Sequence, residues 1–175
     1  KFSNERAEAK NKIKIEKIIS NIFNSLDSKR DAFHSLSKKF KFNFKPSQLI
    51  KFNKYKSIIL IGMGGSSLGA EALYNFFRNK IEKELFFFNN LDQSQIEKTK
   101  TSLKNSLFII ISKSGNTLET LINTNLLKDK INKKNTIIIT EKKTNLLNQF
   151  AKDKKILHII HKDYIGGRYS ILSEV

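Results

Sequence analysis

Leu107-Phe108-Ile109-Ile110-Ile111-Ser112-Lys113-Ser114-Gly115-Asn116-Thr117-Leu118-Glu119-Thr120 is the stretch from which the fold can be read. Its first five residues are an unbroken apolar, Ile-rich run, the pattern of a strand buried on both faces. Beyond it Leu118, Leu121, Ile122 and Leu126 recur at helical spacing, so a helix is predicted to begin near Asn116 or Thr117. Ser112 to Thr120 is then the turn from a strand end into a helix N-terminus. Free backbone N–H groups and the positive end of the helix dipole favour an anion there. Ser114, Thr117 and Thr120 stand three apart, which brings their hydroxyls toward one side of the first turn. Ser112 and Ser114 line the approach, and Gly115 lets the backbone come close. Hydroxyls and amides converging on one point suit a phosphate monoester better than a carboxylate. The simpler alternative is a Thr N-cap behind a serine-rich loop.

The same strand-to-turn-to-helix pattern occurs upstream. Ser57-Ile58-Ile59-Leu60-Ile61 runs into Gly62-Met63-Gly64-Gly65-Ser66-Ser67-Leu68-Gly69 and then into a helix carrying Leu73, Phe76 and Phe77. A glycine-rich turn in that setting is an anion cradle by geometry. It is not a P-loop, because Ala70 rather than Lys follows Gly69. The dinucleotide fingerprint is also incomplete, with Ser67 where its third glycine belongs. Gly64, Gly65 and Ser66 still allow a small ligand to approach the backbone closely.

Three further strands are predicted at Leu85–Phe88, Thr136–Thr140 and Lys155–Ile160. Ile96 and Leu103 mark a helix after the first of these, and Leu146, Leu147 and Phe150 a helix after the second. Five short apolar strands alternating with amphipathic helices predict an α/β fold, a five-stranded parallel sheet with helices on both faces. Both candidate anion turns then lie at strand carboxyl ends, where such sheets bind ligands.

Residues 1–50 are expected to be a helical segment packing on the core, and residues 51–175 the sheet domain. Ile15, Ile18, Ile19, Ile22, Phe23 and Leu26 form an apolar stripe on a first helix, and a second short helix is predicted over Lys29–Phe40. Phe40, Phe42 and Phe44 alternate with Lys41 and Asn43 ahead of Pro46. An exposed basic-aromatic strand for nucleic acid is one reading; folding down over the core is the preferred one.

The net charge of +17 comes from 33 Lys and Arg against 16 Asp and Glu, spread along the whole chain rather than gathered in one arm. Lys, Asn, Ile and Phe are abundant together, as in proteins of AT-rich genomes, and no nucleic-acid-binding signature is present. No cysteine is available for disulfides or thiolate metal sites, which favours a reducing compartment. No apolar run reaches membrane-spanning length. The first residue is Lys1 rather than Met, as in a processed or truncated chain.

Beyond the fifth strand, Gly166-Gly167-Arg168-Tyr169-Ser170 places two glycines before an Arg, a tight turn that can aim a guanidinium into the cleft. A fixed positive charge there suits a developing oxyanion. His158 and His161 are expected on opposite faces of a strand, and they, like His34, are read as ordinary positions with no metal.

The three stretches Gly62–Gly69, Ser112–Thr120 and Gly166–Ser170 resemble, in order and spacing, the successive signatures of the phosphoglucose isomerase family. The middle one alone resembles the wider sugar-isomerase (SIS) domain family. The resemblance implies an SIS-type, flavodoxin-like three-layer fold over residues 51–175. It also implies reversible conversion of glucose 6-phosphate to fructose 6-phosphate through an enediolate, in glycolysis and gluconeogenesis, with no cofactor. Carried over by position, Ser112, Ser114, Thr117 and Thr120 hold the phosphate within the Ser112–Thr120 turn that includes Gly115 and Asn116. Gly65 and Ser66 line the sugar side with Lys113 nearby, Arg168 steadies the enediolate, and Arg168 and Lys113 are the catalytic candidates. Gly115-Asn116 departs from the family pattern, where an aromatic or Thr is frequent. A cytoplasmic homodimer acting on a sugar phosphate, with neither nucleic acid nor membrane as partner, is implied as well.

The family's general base, a Glu well downstream of the Arg motif, and its ring-opening His are not found in this sequence. Glu119 belongs to a helix first turn, and Glu174 follows the third signature with nothing evident to position it. The expectation is the N-terminal part of a longer isomerase, inactive by itself. A sugar-phosphate-sensing SIS module and a bifunctional glucose/mannose isomerase are the alternatives.

Overall fold

The computed structural model describes residues 2–92, 94 and 102–175, which fall into two compact units, 1–41 and 42–175. The first contains α1 (Phe2–Asp27). In place of the predicted Lys29–Phe40 helix there is a single 3-10 turn, Ala32–Leu36, opened by the Asp31 carboxylate accepting from Phe33 N at 2.9 Å. One turn suffices because His34 Nδ1 donates back to Leu26 O at 2.8 Å, closing the chain on α1 before a helix can extend. The exposed Lys39–Asp27 pair holds the Asp27 carboxyl below its usual range, chiefly through a direct hydrogen bond.

The second unit is a five-stranded sheet of β1 (Ser57–Ile61), β2 (Glu84–Phe88), β3 (Ser106–Ile111), β4 (Thr136–Glu141) and β5 (Leu157–His161). Every neighbouring pair is parallel and the order is β2-β1-β3-β4-β5. The strands match the sequence reading to within two residues. The largest shift is at β5, because Lys155 takes a left-handed turn (φ 52°) before the chain extends.

Alternation along the strands splits the core into two layers. Ile59, Ile61, Phe108, Ile110 and Ile138 bury one face under α3 (Leu118–Leu126) and α4 (Leu146–Asp153), through Leu121, Leu127, Leu147, Phe150 and Ala151. Leu60, Leu107, Ile111, Ile137, Ile139 and Ile159 bury the other, under Phe44, Leu49, Phe52, Tyr55 and Ala70 of α2 (Leu68–Phe76). Phe44 therefore folds onto the core. Phe42 stacks on it with ring centroids 5.3 Å apart and stays half exposed. The helix expected around Ile96 lies outside the described residues, and Leu103 sits in a 3-10 turn over Ser102–Asn105. Among the described residues no helix is long and apolar enough to cross a membrane.

The strand order positions the site. After β1 the chain adds β2 on one side, then returns to add β3 on the other, so connections leave the carboxyl ends of β1 and β3 in opposite directions. The crevice between those ends is where a doubly wound sheet receives a ligand. Gly62–Gly69 follows β1 and Ser112–Thr120 follows β3.

Candidate phosphate-binding site

A cleft of about 490 Å³ opens at this crevice, lined by Ser66 from the first turn, Lys113, Ser114, Asn116 and Thr117 from the second, Glu141 at the end of β4, and Lys143 and Thr144 just beyond it. The floor is the N-terminus of α3. Thr117 occupies its N-cap position but makes no capping hydrogen bond. Its Oγ1 lies instead 2.9 Å from Ser112 Oγ, which accepts from Gly115 N at 3.1 Å. With one Ser112 lone pair taken by that N–H, the Ser112 proton can go to Thr117 Oγ1, freeing the Thr117 proton for a ligand. The first-turn amides of α3 are left without a side-chain cap, a donor array under the positive helix end.

The predicted residues take distinct places. Ser114 and Asn116 are exposed, with Ser114 Oγ accepting from Asn116 N at 3.2 Å. Ser112 is buried beneath Thr117 rather than in the lining. Thr120 is 1% exposed, and its Oγ1 has no hydrogen-bond partner. Lys113 Nζ donates to Asp163 O at 2.8 Å and stands 3.4 Å from Glu141. Glu141 also pairs with Lys143 at 2.5 Å, and that hydrogen bond raises the Lys143 pKa. The cleft mouth thus carries two ammonium groups around one buried carboxylate.

The first and third signatures meet backbone to backbone. A Cβ on Gly65 would fall on the Gly167 carbonyl group, so residue 65 has to be glycine for the two turns to touch. Ser170 Oγ lies 2.6 Å from Gly167 O and 3.2 Å from Gly65 O, bridging them. The two glycines before Arg168 have no positive φ, and a Cβ on either would meet only ordinary van der Waals contacts, so the steric demand of this junction falls on Gly65. Arg168 is exposed near the start of the 3-10 segment Gly167–Leu172, outside the cleft lining described above.

Glu174, which the sequence left without support, is firmly held. Its Oε1 accepts from Lys162 Nζ at 2.6 Å and from Asn43 N at 3.2 Å. His161 Nδ1 stands 3.6 Å from Oε2, while His161 Nε2 donates to Ile165 O at 3.1 Å. Burial pushes the Glu174 carboxyl up, but the contacts with His161 and Lys162 outweigh it and lower the pKa from 4.5 to about 2. His158 is half-buried, and desolvation lowers its pKa. Among the described residues no group of three His, Asp or Glu could hold a metal ion.

Sequence reasoning missed Glu141, Lys143, Thr144 and Asn145. Only Asn145 carried a local signal, an Asn directly ahead of the apolar pair Leu146-Leu147, which reads as an N-cap.

A parallel sheet of this order, with hydroxyl-bearing turns at its switch point, defines an SIS-type α/β domain. Among solved structures, a hypothetical protein of Thermus thermophilus has the same fold, with a TM-score of 0.63 and 26% identity over 68% of this chain and 31% of that one. The NanR protein of Vibrio vulnificus, solved with ManNAc-6P, matches at a TM-score of 0.54 and 18% identity, covering 87% of this chain and 55% of that one. The chain belongs to the phosphoglucose isomerase family, whose pattern it matches over residues 4–175. It is 38% identical over 138 residues to the glucose-6-phosphate isomerase of Borreliella burgdorferi (strain ZS7), covering 70% of this chain and 26% of that protein. To the glucose-6-phosphate isomerase of Methanocaldococcus jannaschii it is 30% identical over 174 residues, covering 94% of this chain and 41% of that protein. The chain thus spans about a quarter to two fifths of the length of these curated relatives.

Proposed function

We propose that this chain forms the phosphate- and sugar-holding part of a glucose-6-phosphate isomerase, working in the cytoplasm as a homodimer. The observation that carries the reading is the uncapped N-terminus of α3, with Thr117, Ser114 and Lys113 around it at the sheet's switch point. A phosphate dianion seated there takes hydrogen bonds from the α3 amides and from the Thr117 and Ser114 hydroxyls, as an anion at a helix start requires. Gly65 and Ser66 face the sugar from the neighbouring turn. Arg168 follows the turn locked onto Gly65, from which its fixed charge can stabilise the enediolate oxygen. Lys113, tethered by Glu141 and Asp163, adds positive charge at the same mouth.

Proton transfer between C1 and C2 needs a base in reach of the substrate. Glu174 is engaged by Lys162 and Asn43, and Glu119 lies on the first turn of α3, so neither is assigned that role. The 175-residue chain alone is therefore expected to bind without turnover.

Calorimetric titration tests this directly. Glucose 6-phosphate should bind, glucose should not, and inorganic phosphate should compete. Equal affinity for glucose and its phosphate would overturn the assignment. Turnover of mannose 6-phosphate by the full-length protein would favour the bifunctional variant of this function.

A further inference from the structure

We propose that Asn145 is a positioning residue for the anion-binding turn, forming with Gly115 a matched pair that holds three walls of the cleft in register. The proposal rests on reading that cleft as the sugar-phosphate site. Asn145 is 7% exposed and stands behind the cleft lining. Its Oδ1 accepts from Asn148 N at 2.8 Å, capping α4. Its Nδ2 donates to Lys143 O at 3.2 Å and reaches Thr140 Oγ1 at 3.4 Å. One carboxamide thereby ties the end of β4, the wall carrying Lys143 and Thr144, and the first turn of α4.

The opposite side of that carboxamide meets the anion turn. Gly115 has φ +70°, and a Cβ there would overlap the Asn145 side chain. Gly115 O accepts from Leu147 N at 3.2 Å, and Asn116 Oδ1 accepts from Leu146 N at 3.1 Å. The three first-turn amides of α4 are thus all satisfied, two by the anion turn and one by Asn145. The start of α4 is closed to an anion while the start of α3 stays open. The anion turn hangs from α4, and Asn145 sets where it hangs. Conversely, Asn at 145 confines residue 115 to glycine.

Two roles for Asn145 can be separated experimentally. Serine also caps helices, so Asn145→Ser keeps the cap but removes the contact with Gly115. In the full-length protein, Asn145→Ser should keep a melting temperature near that of the parent. Amide exchange at Gly115 and Leu147 should accelerate, and glucose 6-phosphate should bind about five- to tenfold more weakly, the loss of roughly one well-placed hydrogen bond. Gly115→Ala should weaken binding further, and Gly115→Ala with Asn145→Ser should recover part of that loss, the left-handed strain remaining. Parent-like exchange and affinity in Asn145→Ser, or strictly additive losses in the double variant, would overturn the proposal. If the parent itself binds no glucose 6-phosphate, the sugar-phosphate reading fails, and exchange at Gly115 and Leu147 still decides the pairing.

Discussion

Removing the charge of Glu174 while keeping its shape should cost stability in a pH-dependent way. The carboxylate is buried against Lys162 Nζ, the Asn43 N–H and the His161 ring, and its pKa falls from 4.5 to about 2. Lowering a pKa by one corresponds to about 1.4 kcal/mol, so the charged form contributes about 3 kcal/mol to folding. Breaking a buried pair from one side costs a similar amount. Glu174→Gln should therefore lower the urea-unfolding free energy by about 3 kcal/mol at pH 7. Because the folded-state pKa is depressed, the contribution is complete above about pH 4.5 and is lost as pH falls toward 2. The assay is paired urea titration of parent and variant at steps from pH 7 to pH 2, where other carboxylates cancel in the difference. A difference that stays constant over this range, or one below about 1 kcal/mol at pH 7, would refute the assignment of a charged, stabilising carboxylate.

Arg168→Ala in the full-length protein should lower kcat at least about a hundredfold with KM changed only a few-fold, as expected for charge that matters mainly in the transition state. Comparable changes in both would remove its enediolate role. Thr117→Val should weaken glucose 6-phosphate binding about tenfold by calorimetry, since it deletes the hydroxyl that bridges Ser112 and the ligand. Unaltered affinity would show the phosphate seated elsewhere. Ile138→Ala opens a cavity at a fully buried position between the sheet and α3–α4 and should cost about 3–4 kcal/mol in urea unfolding.

The five strands, their parallel pairing and the position of both candidate ligand turns were legible because each follows from local pattern. An Ile-rich run bounded by glycine and serine admits few conformations, and Thr117-Leu118 ahead of a helical repeat marks a helix start. The predicted Lys29–Phe40 helix failed because His34 returns to Leu26, eight residues back, a contact that hydrophobic periodicity does not encode. Glu174 looked unsupported because its partners, Asn43, His161 and Lys162, are scattered through the sequence.

By itself the sequence determined the class of fold and the presence of three chemical turns, because hydrophobic period and glycine placement act over a few residues. Only the tertiary structure decided which groups share a space. Gly115 meets Asn145 and Lys113 meets Glu141 because β3 and β4 are neighbours, whereas Gly65 meets Gly167 and Lys113 meets Asp163 because the chain beyond β5 turns back across the carboxyl ends of the strands. Steric exclusion at those contacts explains why two of the glycines are glycine. Thr117 leaves its own helix uncapped for Ser112, and that choice depends on an angle between a strand end and a helix start. Sequence spacing does not encode that angle; packing of α3 and α4 on the sheet does.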